Sequence, residues 1–179
     1  MKARAGGLVL LLIGGLLGFI GGYFAGGGGR PATAPAPGLG AASGTGLAGL
    51  HAELERDPRN PALLAAVGNW HYDRQEWEDA IEYYDKSLRR KDDASVRSDL
   101  GAAYRNLGEF ERAIAEFERA RKANPEHWQA LLNLVLVQAF DQRDGAAAAA
   151  SFRELKQKYP DIPNLDHIEK QISGLSPRT

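Results

Sequence analysis

The chain has no cysteine among its 179 residues. That excludes disulfide staples, a thiol nucleophile, thiolate metal sites and a lipid-modified N-terminal cysteine. It does not choose a compartment, because a cysteine-free chain folds equally well under oxidising or reducing conditions. The first fifty residues hold no acidic side chain and most of the 21 glycines, so they cannot build a core. Without Lys2, Arg4 and Arg30, 19 of the 22 basic residues remain against 23 acidic ones, about −4 for the rest of the chain. A mildly acidic domain lacks the basic stripe that nucleic-acid binding requires, and no nucleic-acid partner is expected.

Catalytic patterns are missing too. There is no G-x-S-x-G, no phosphate loop and no plausible nucleophile–base pair, so an enzyme and a bound cofactor are not expected. Gly44-Thr45-Gly46-Leu47-Ala48-Gly49 matches G-x-G-x-x-G, but it has neither the preceding strand nor the βαβ unit of a dinucleotide site. His51, His71, His127 and His167 show no i,i+4 pairing with one another and no metal-type spacing with carboxylates, so they read as surface or packing residues and no metal is expected. Asp141, Asp144 and Gly145 lack the ligand alternation of a calcium loop and read as a helix-connecting turn. Asp92, Asp93, Glu109, Glu111, Glu116 and Glu118 read as caps and a solvated face.

What is present begins with an apolar run. After a short basic segment (1–4), residues 5–27 carry no charge, with Leu8 to Ala25 almost wholly apolar and Tyr23 and Phe24 near the far end. That length suffices to cross about 30 Å of hydrocarbon as a helix, and aromatic rings suit the interface. The alternative, a cleaved signal peptide using Ala32-Thr33-Ala34 or Ala34-Pro35-Ala36, places the cleavage site well beyond the apolar run and among prolines. An uncleaved signal anchor is the preferred reading. Lys2, Arg4 and the terminal amine precede the span while only Arg30 follows closely. The expected arrangement is therefore a single-pass inner-membrane protein with a cytoplasmic N-terminus and a periplasmic domain. Gly14, Gly18, Gly22 and Gly26 recur every four residues, one smooth ridge on a helix, where a second copy or another membrane helix can pack. Residues 28–46 are a Gly/Ala/Pro linker without apolar periodicity, expected to be disordered.

From Leu47 the apolar spacing is helical, with no strand signal. Leu47, Leu50 and Leu54 form one stripe (47–60), ended by Asp57-Pro58. Asn60 and Pro61 open a helix expected over Pro61 to Arg74, Trp77 to Arg90 forms the next, and Ala146 to Tyr159 a later one. Gly68, Ala80 and Tyr84 are followed 33 residues on by Gly101, Ala113 and Phe117, the small residues admitting close approach of two antiparallel helices. Self-similarity at this period signals stacked helix-turn-helix units.

Gly101, Tyr104, Ala113, Phe117, Ala120 and Pro125 resemble the tetratricopeptide repeat (TPR), a helix-pair unit of about 34 residues. The unit at 61–93 matches at Val67, Gly68, Ala80 and Tyr84, with His71 where Tyr is usual and Asp92 where Pro is usual. The unit at 126–160 keeps Ala148, Phe152 and Pro160 but has Val135 in place of the small residue, which predicts a more open pair. Leu165, Ile168 and Ile172 in 161–179 look like a terminal cap. The resemblance, over roughly 55–160, implies an all-α TPR solenoid of about three repeats plus a capping helix, behind a single transmembrane helix and linker.

It also implies a concave groove for a protein or peptide, lined by Asn69, Tyr72 and Asp73 from the first unit, Asp99, Arg105 and Asn106 from the second, and Gln129, Asn133, Leu136 and Phe140 from the third. The family's carboxylate clamp is not matched: Asn69 is kept, but Ala65, Asp99, Gln129 and Asn133 stand at most of the other clamp positions. The expected function is a membrane-anchored scaffold in assembly or stabilisation of an envelope complex. The alternatives are a factor similar to those of cytochrome c maturation, an accessory subunit of a translocase or secretion system, and a soluble exported protein with an unrecognised enzymatic or ligand site.

Overall fold

A computed structural model describes residues 46–174. The expected membrane span (5–27), its glycine ridge Gly14, Gly18, Gly22 and Gly26, and the linker up to residue 45 lie outside the described residues. Among those described, all regular structure is helical, and no helix is long and apolar enough to cross a membrane.

The helices are α1 (Leu47–Arg56), α2 (Pro61–Tyr72), α3 (Trp77–Leu88), α4 (Ala94–Asn106), α5 (Phe110–Ala123), α6 (Trp128–Leu136) continued by a π turn (Val137–Asp141), α7 (Gly145–Lys158) and α8 (Leu165–Ser173). Starts are set by side-chain caps. The Asn60 carboxamide oxygen accepts from the amides of Ala62 and Leu63 at 3.0 and 3.2 Å, and the Asp93 carboxylate does the same for Ser95 and Val96, satisfying donors that the first turn leaves bare.

Two of the helices expected from the sequence stop early: α2 ends at Tyr72 rather than Arg74, and α3 at Leu88 rather than Arg90. For α2 the cause is a left-handed residue, Gln75 at φ 63°. The Glu76 amide donates to the His71 carbonyl and the Gln75 amide to the Tyr72 carbonyl, the paired bonds of a Schellman ending. Gly108 at φ 79° closes α4 in the same way, with bonds from Glu109 to Tyr104 and from Gly108 to Arg105. A glycine at position 75 would avoid the Cβ penalty of the left-handed conformation. Gln75→Gly is expected to raise stability by about 1 kcal/mol, read as a higher urea midpoint at unchanged slope.

The glycines of the repeat are filled by rings. A Cβ on Gly68 would lie 2.7 Å from the Tyr84 ring, and one on Gly101 would lie 2.6 Å from Phe117. Ala80, Ala113 and Phe117 are fully buried and Tyr84 almost so. In the third unit Val135 is buried and Phe152 nearly so, and this pair touches over a shorter stretch than the first two. The reason is legible in the numbering. Seven residues separate Gly68 from left-handed Gln75 and Gly101 from left-handed Gly108, but eight separate Val135 from left-handed Arg143. The π turn holds the extra residue, since it winds one residue more per hydrogen-bonded ring than an α-helix. The Gln142 amide accordingly bonds the Val137 carbonyl, five residues back.

Glu116 departs from the solvated face expected for it. It is 6% exposed, and its carboxylate accepts from Arg97 at 2.8 Å and also from Arg119. Arg97 in turn bonds Asp92 at 2.5 Å. Of the three residues expected in a connecting turn, Asp144 caps α7 by accepting from Ala147, while Asp141 ends the π turn and Gly145 opens α7. At the C-terminal end, α8 seats Leu165 and Ile172 in the core, and Glu169 pairs with Lys156 of α7 at 2.7 Å.

Candidate functional site

The first helix of each unit, α2, α4 and α6, supplies the expected groove residues, and polar contacts link these helices from unit to unit. The Asn106 carboxamide donates to the Tyr72 hydroxyl at 3.1 Å and to its own helix at Ala102 at 2.9 Å. The Tyr72 ring stands edge-on to Trp77 with centroids 4.9 Å apart. Burial pushes the Tyr72 phenol above its ordinary range, and the Asn106 donor opposes this, while Asp99 and Asp73 add to it and Arg105 offsets. The phenol therefore stays neutral and serves as acceptor from the neighbouring unit. One unit further, the Arg105 Nε donates to Asp141 at 2.5 Å, across 36 residues of sequence. Both groups are largely covered, at 23% and 16% side-chain exposure, so the pair is screened less than a surface bridge.

These latches use up several side chains expected to face a ligand. The Asn69 carboxamide oxygen accepts from the Tyr84 hydroxyl at 2.9 Å, so the one matched clamp residue is engaged in packing its own unit. Arg105 is committed to Asp141. Leu136 is a correction: at 2% exposure it lines no open surface. Leu131, Leu132, Leu134, Val135 and Val137 are buried with it, which leaves Gln129 and Asn133, one turn apart, as the polar stripe of α6. Phe140 is half-buried on the π turn, Asp99 is half-buried, and Asp73 is exposed at the end of α2. Gln129 and Asn133 are half-buried and have no side-chain hydrogen bond among the described residues.

Asp141, Trp77, Ser98 and His127 belong to this frame and were not among the expected groove residues. Ser98, 5% exposed on α4, meets the His127 Nε2 at 2.9 Å, which ties the second unit to the start of the third. Burial lowers the His127 pKa from its ordinary value, with Asp93 acting in the opposite sense. The unfolded chain therefore binds this proton more readily than the folded one. Its contribution is fully present above about pH 6.5 and is lost as pH falls from there toward the lower folded value. His127→Gln is expected to flatten the pH dependence of the urea midpoint between about pH 5 and 7, while keeping a partner for Ser98.

Clefts also lie away from this row among the described residues. One of about 270 Å³ is lined by Asp85, Arg89, Arg97, Glu116 and Arg119; burial raises the Asp85 pKa, which Arg89 partly offsets. The other, about 380 Å³ and mainly apolar, lies between α7 and α8 beside Ala149, Phe152 and Ile172. At the α2–α3 turn, ligand atoms of His71, Glu76 and Asp79 fall within 4.8 Å of one another.

Two family models described as tetratricopeptide repeat match the chain, over residues 62–91 and 98–163. No curated protein matches it by sequence. Among solved structures, the TPR domain of Arabidopsis OM64 is similar at TM-score 0.58 and 21% identity, over 63% of this chain and 93% of that one. A tetratricopeptide repeat protein from Parabacteroides merdae gives TM-score 0.63 and 20% identity, over 70% of this chain and 50% of that one. The TPR2B domain of yeast Sti1, in a complex with pHsp70, gives TM-score 0.57 and 20% identity, over 63% and 95%.

Proposed function

The chain belongs to the tetratricopeptide repeat family, and from that premise we propose that it is a membrane-anchored scaffold whose concave face holds a protein or extended peptide within an envelope complex. Its class is that of a protein–protein interaction scaffold. The observation that carries the binding reading is the pairing of a latched frame with uncommitted amides. Tyr72–Asn106 and Arg105–Asp141 hold the first helices in register, and Gln129 and Asn133 lie beside that frame without partners among the described residues. A carboxamide both donates and accepts, the complement of a peptide backbone.

The yeast domain's complex with pHsp70 illustrates the kind of occupant, but the occupant here differs in charge. With Asn69 bonded to Tyr84 and Arg105 to Asp141, no matched set of cations faces a terminal carboxylate. The groove is amide-lined, with Asp73 and Asp99 adding negative charge, and suits a backbone carrying neutral or basic side chains.

The uncharged run Ala5–Gly29 supports the anchor, and the charges before it support an exported repeat domain. Alkaline extraction of membranes tests this. The full chain is expected to stay in the pellet, and a variant lacking residues 1–46 to move to the soluble fraction. A mature N-terminus near Ala36, with the chain recovered in the soluble fraction, would overturn the anchor.

A further inference from the structure

The turn between α2 and α3 carries a charge arrangement that the next repeat does not share. Three positions of the first unit, His71, Glu76 and Asp79, correspond at the repeat spacing of 33 to Tyr104, Glu109 and Arg112 of the second. In the second unit Arg112 neutralises the cluster. It donates to Glu109 at 2.6 Å and to the Tyr104 hydroxyl at 2.5 Å, with its guanidinium 3.9 Å from the ring centroid. In the first unit an imidazole replaces the phenol and a carboxylate replaces the cation. Glu76 then bonds the imidazole, and a second carboxylate, Asp79, stands close by at the place where the neighbouring repeat seats a positive charge.

The ligand atoms of the three side chains lie within 4.8 Å of one another. His71 is only 13% exposed. Its ring is stacked on Tyr83 at 5.5 Å and 12°, and stands edge-on to Trp70 at 5.1 Å and 82°, so it is held in orientation before any ligand arrives. Its Nδ1 is 2.6 Å from the Glu76 Oε2. An ion bonding both atoms at about 2.0–2.2 Å in tetrahedral geometry needs them roughly 3.3 Å apart, a small shift for a glutamate 43% exposed. One imidazole and two carboxylates balance a divalent charge and suit borderline first-row cations.

We propose that His71, Glu76 and Asp79 bind one first-row divalent cation of the zinc(II) class, with water completing its coordination. The ion supplies the charge that Arg112 supplies in the second repeat and pins the end of α2 to the first turn of α3, next to the groove residue Tyr72.

The test uses the untagged full chain in mild detergent after chelator treatment, titrated with Co²⁺ and followed by its visible ligand-field absorption, with Zn²⁺ as competitor. The expected result is saturation at one equivalent and bleaching by Zn²⁺. Asp79→Asn is expected to weaken binding at least about tenfold, and Asp79→Arg, which recreates the second repeat's pairing, to abolish it with helical content unchanged. His167→Gln should leave the titration as it is. Absence of Co²⁺ uptake by the wild-type chain, or uptake that Asp79→Arg leaves intact, overturns the proposal.

Discussion

Replacing Phe117 with alanine is expected to lower unfolding stability by about 3–5 kcal/mol, the usual cost of emptying a buried aromatic site. The ring is fully buried and lies against Gly101, where no side chain can move in to fill the void. The converse substitution tests the same contact from the other side. Alanine at position 101 brings a Cβ to 2.6, 2.8 and 3.0 Å from three atoms of the Phe117 ring. Overpacking of this kind costs about 1–3 kcal/mol, against a helix-propensity gain of about 1 kcal/mol for Gly→Ala. The net effect of Gly101→Ala is therefore a loss. In a Phe117→Leu background the added methyl has room, and the loss should shrink or change sign. Urea unfolding of the four chains gives the coupling directly; additive effects would mean that ring and glycine do not meet.

Arg97→Met is expected to cost about 3 kcal/mol, because it leaves the buried Glu116 carboxylate with Arg119 as its remaining cationic partner. Two members of this ion triad are covered: Glu116 is 8% and Arg97 19% exposed in the side chain, whereas Arg119 is 60% exposed. The two arginines are thus unequal. Arg119→Met removes a solvated partner and should change stability by well under 1 kcal/mol. Replacing both members, Arg97→Met with Glu116→Leu, should recover most of the loss, since an apolar pair leaves no unpaired charge. If the Arg97 and Arg119 substitutions prove equally mild in urea titrations, the buried pair does not hold the second unit together.

These contacts differ in how far the sequence reveals them. Gly101 and Phe117 are visible because ring and glycine repeat as a pair with Gly68 and Tyr84, and the spacing forces each glycine beneath the ring of the following helix. Helix starts at Asn60 and Asp93 are visible because capping is local. Burial of Glu116 is not, since its covering partner Arg97 comes from another helix and nothing on α5 itself distinguishes Glu116 from Glu118. The π turn leaves a trace, the extra residue between Val135 and Arg143, but an insertion can be absorbed as a loop or a helix bulge, and packing decides. That bulge brings Asp141 to Arg105, so a residue assigned to a connecting turn becomes part of the frame. Leu136 occupies a groove position of the repeat by its spacing, while α6 buries it among Leu131, Leu132, Leu134 and Val135 and keeps only the Gln129–Asn133 stripe polar. His71, Glu76 and Asp79 are likewise hidden in the sequence, because a left-handed Gln75 is needed to fold them onto one another.

The proposed function requires that a protein or peptide occupy the row formed by α2, α4 and α6. Site-specific photocrosslinking in intact membranes tests it most directly, with a probe placed in turn at Tyr72, Gln129 and Asn133, and at Glu118 and Arg153 on second helices as controls. One shared adduct is expected from the three first-helix positions, weakened by Asn133→Arg and absent from the controls. The same adduct from Glu118 and Arg153, with none from Tyr72, Gln129 or Asn133, would contradict it.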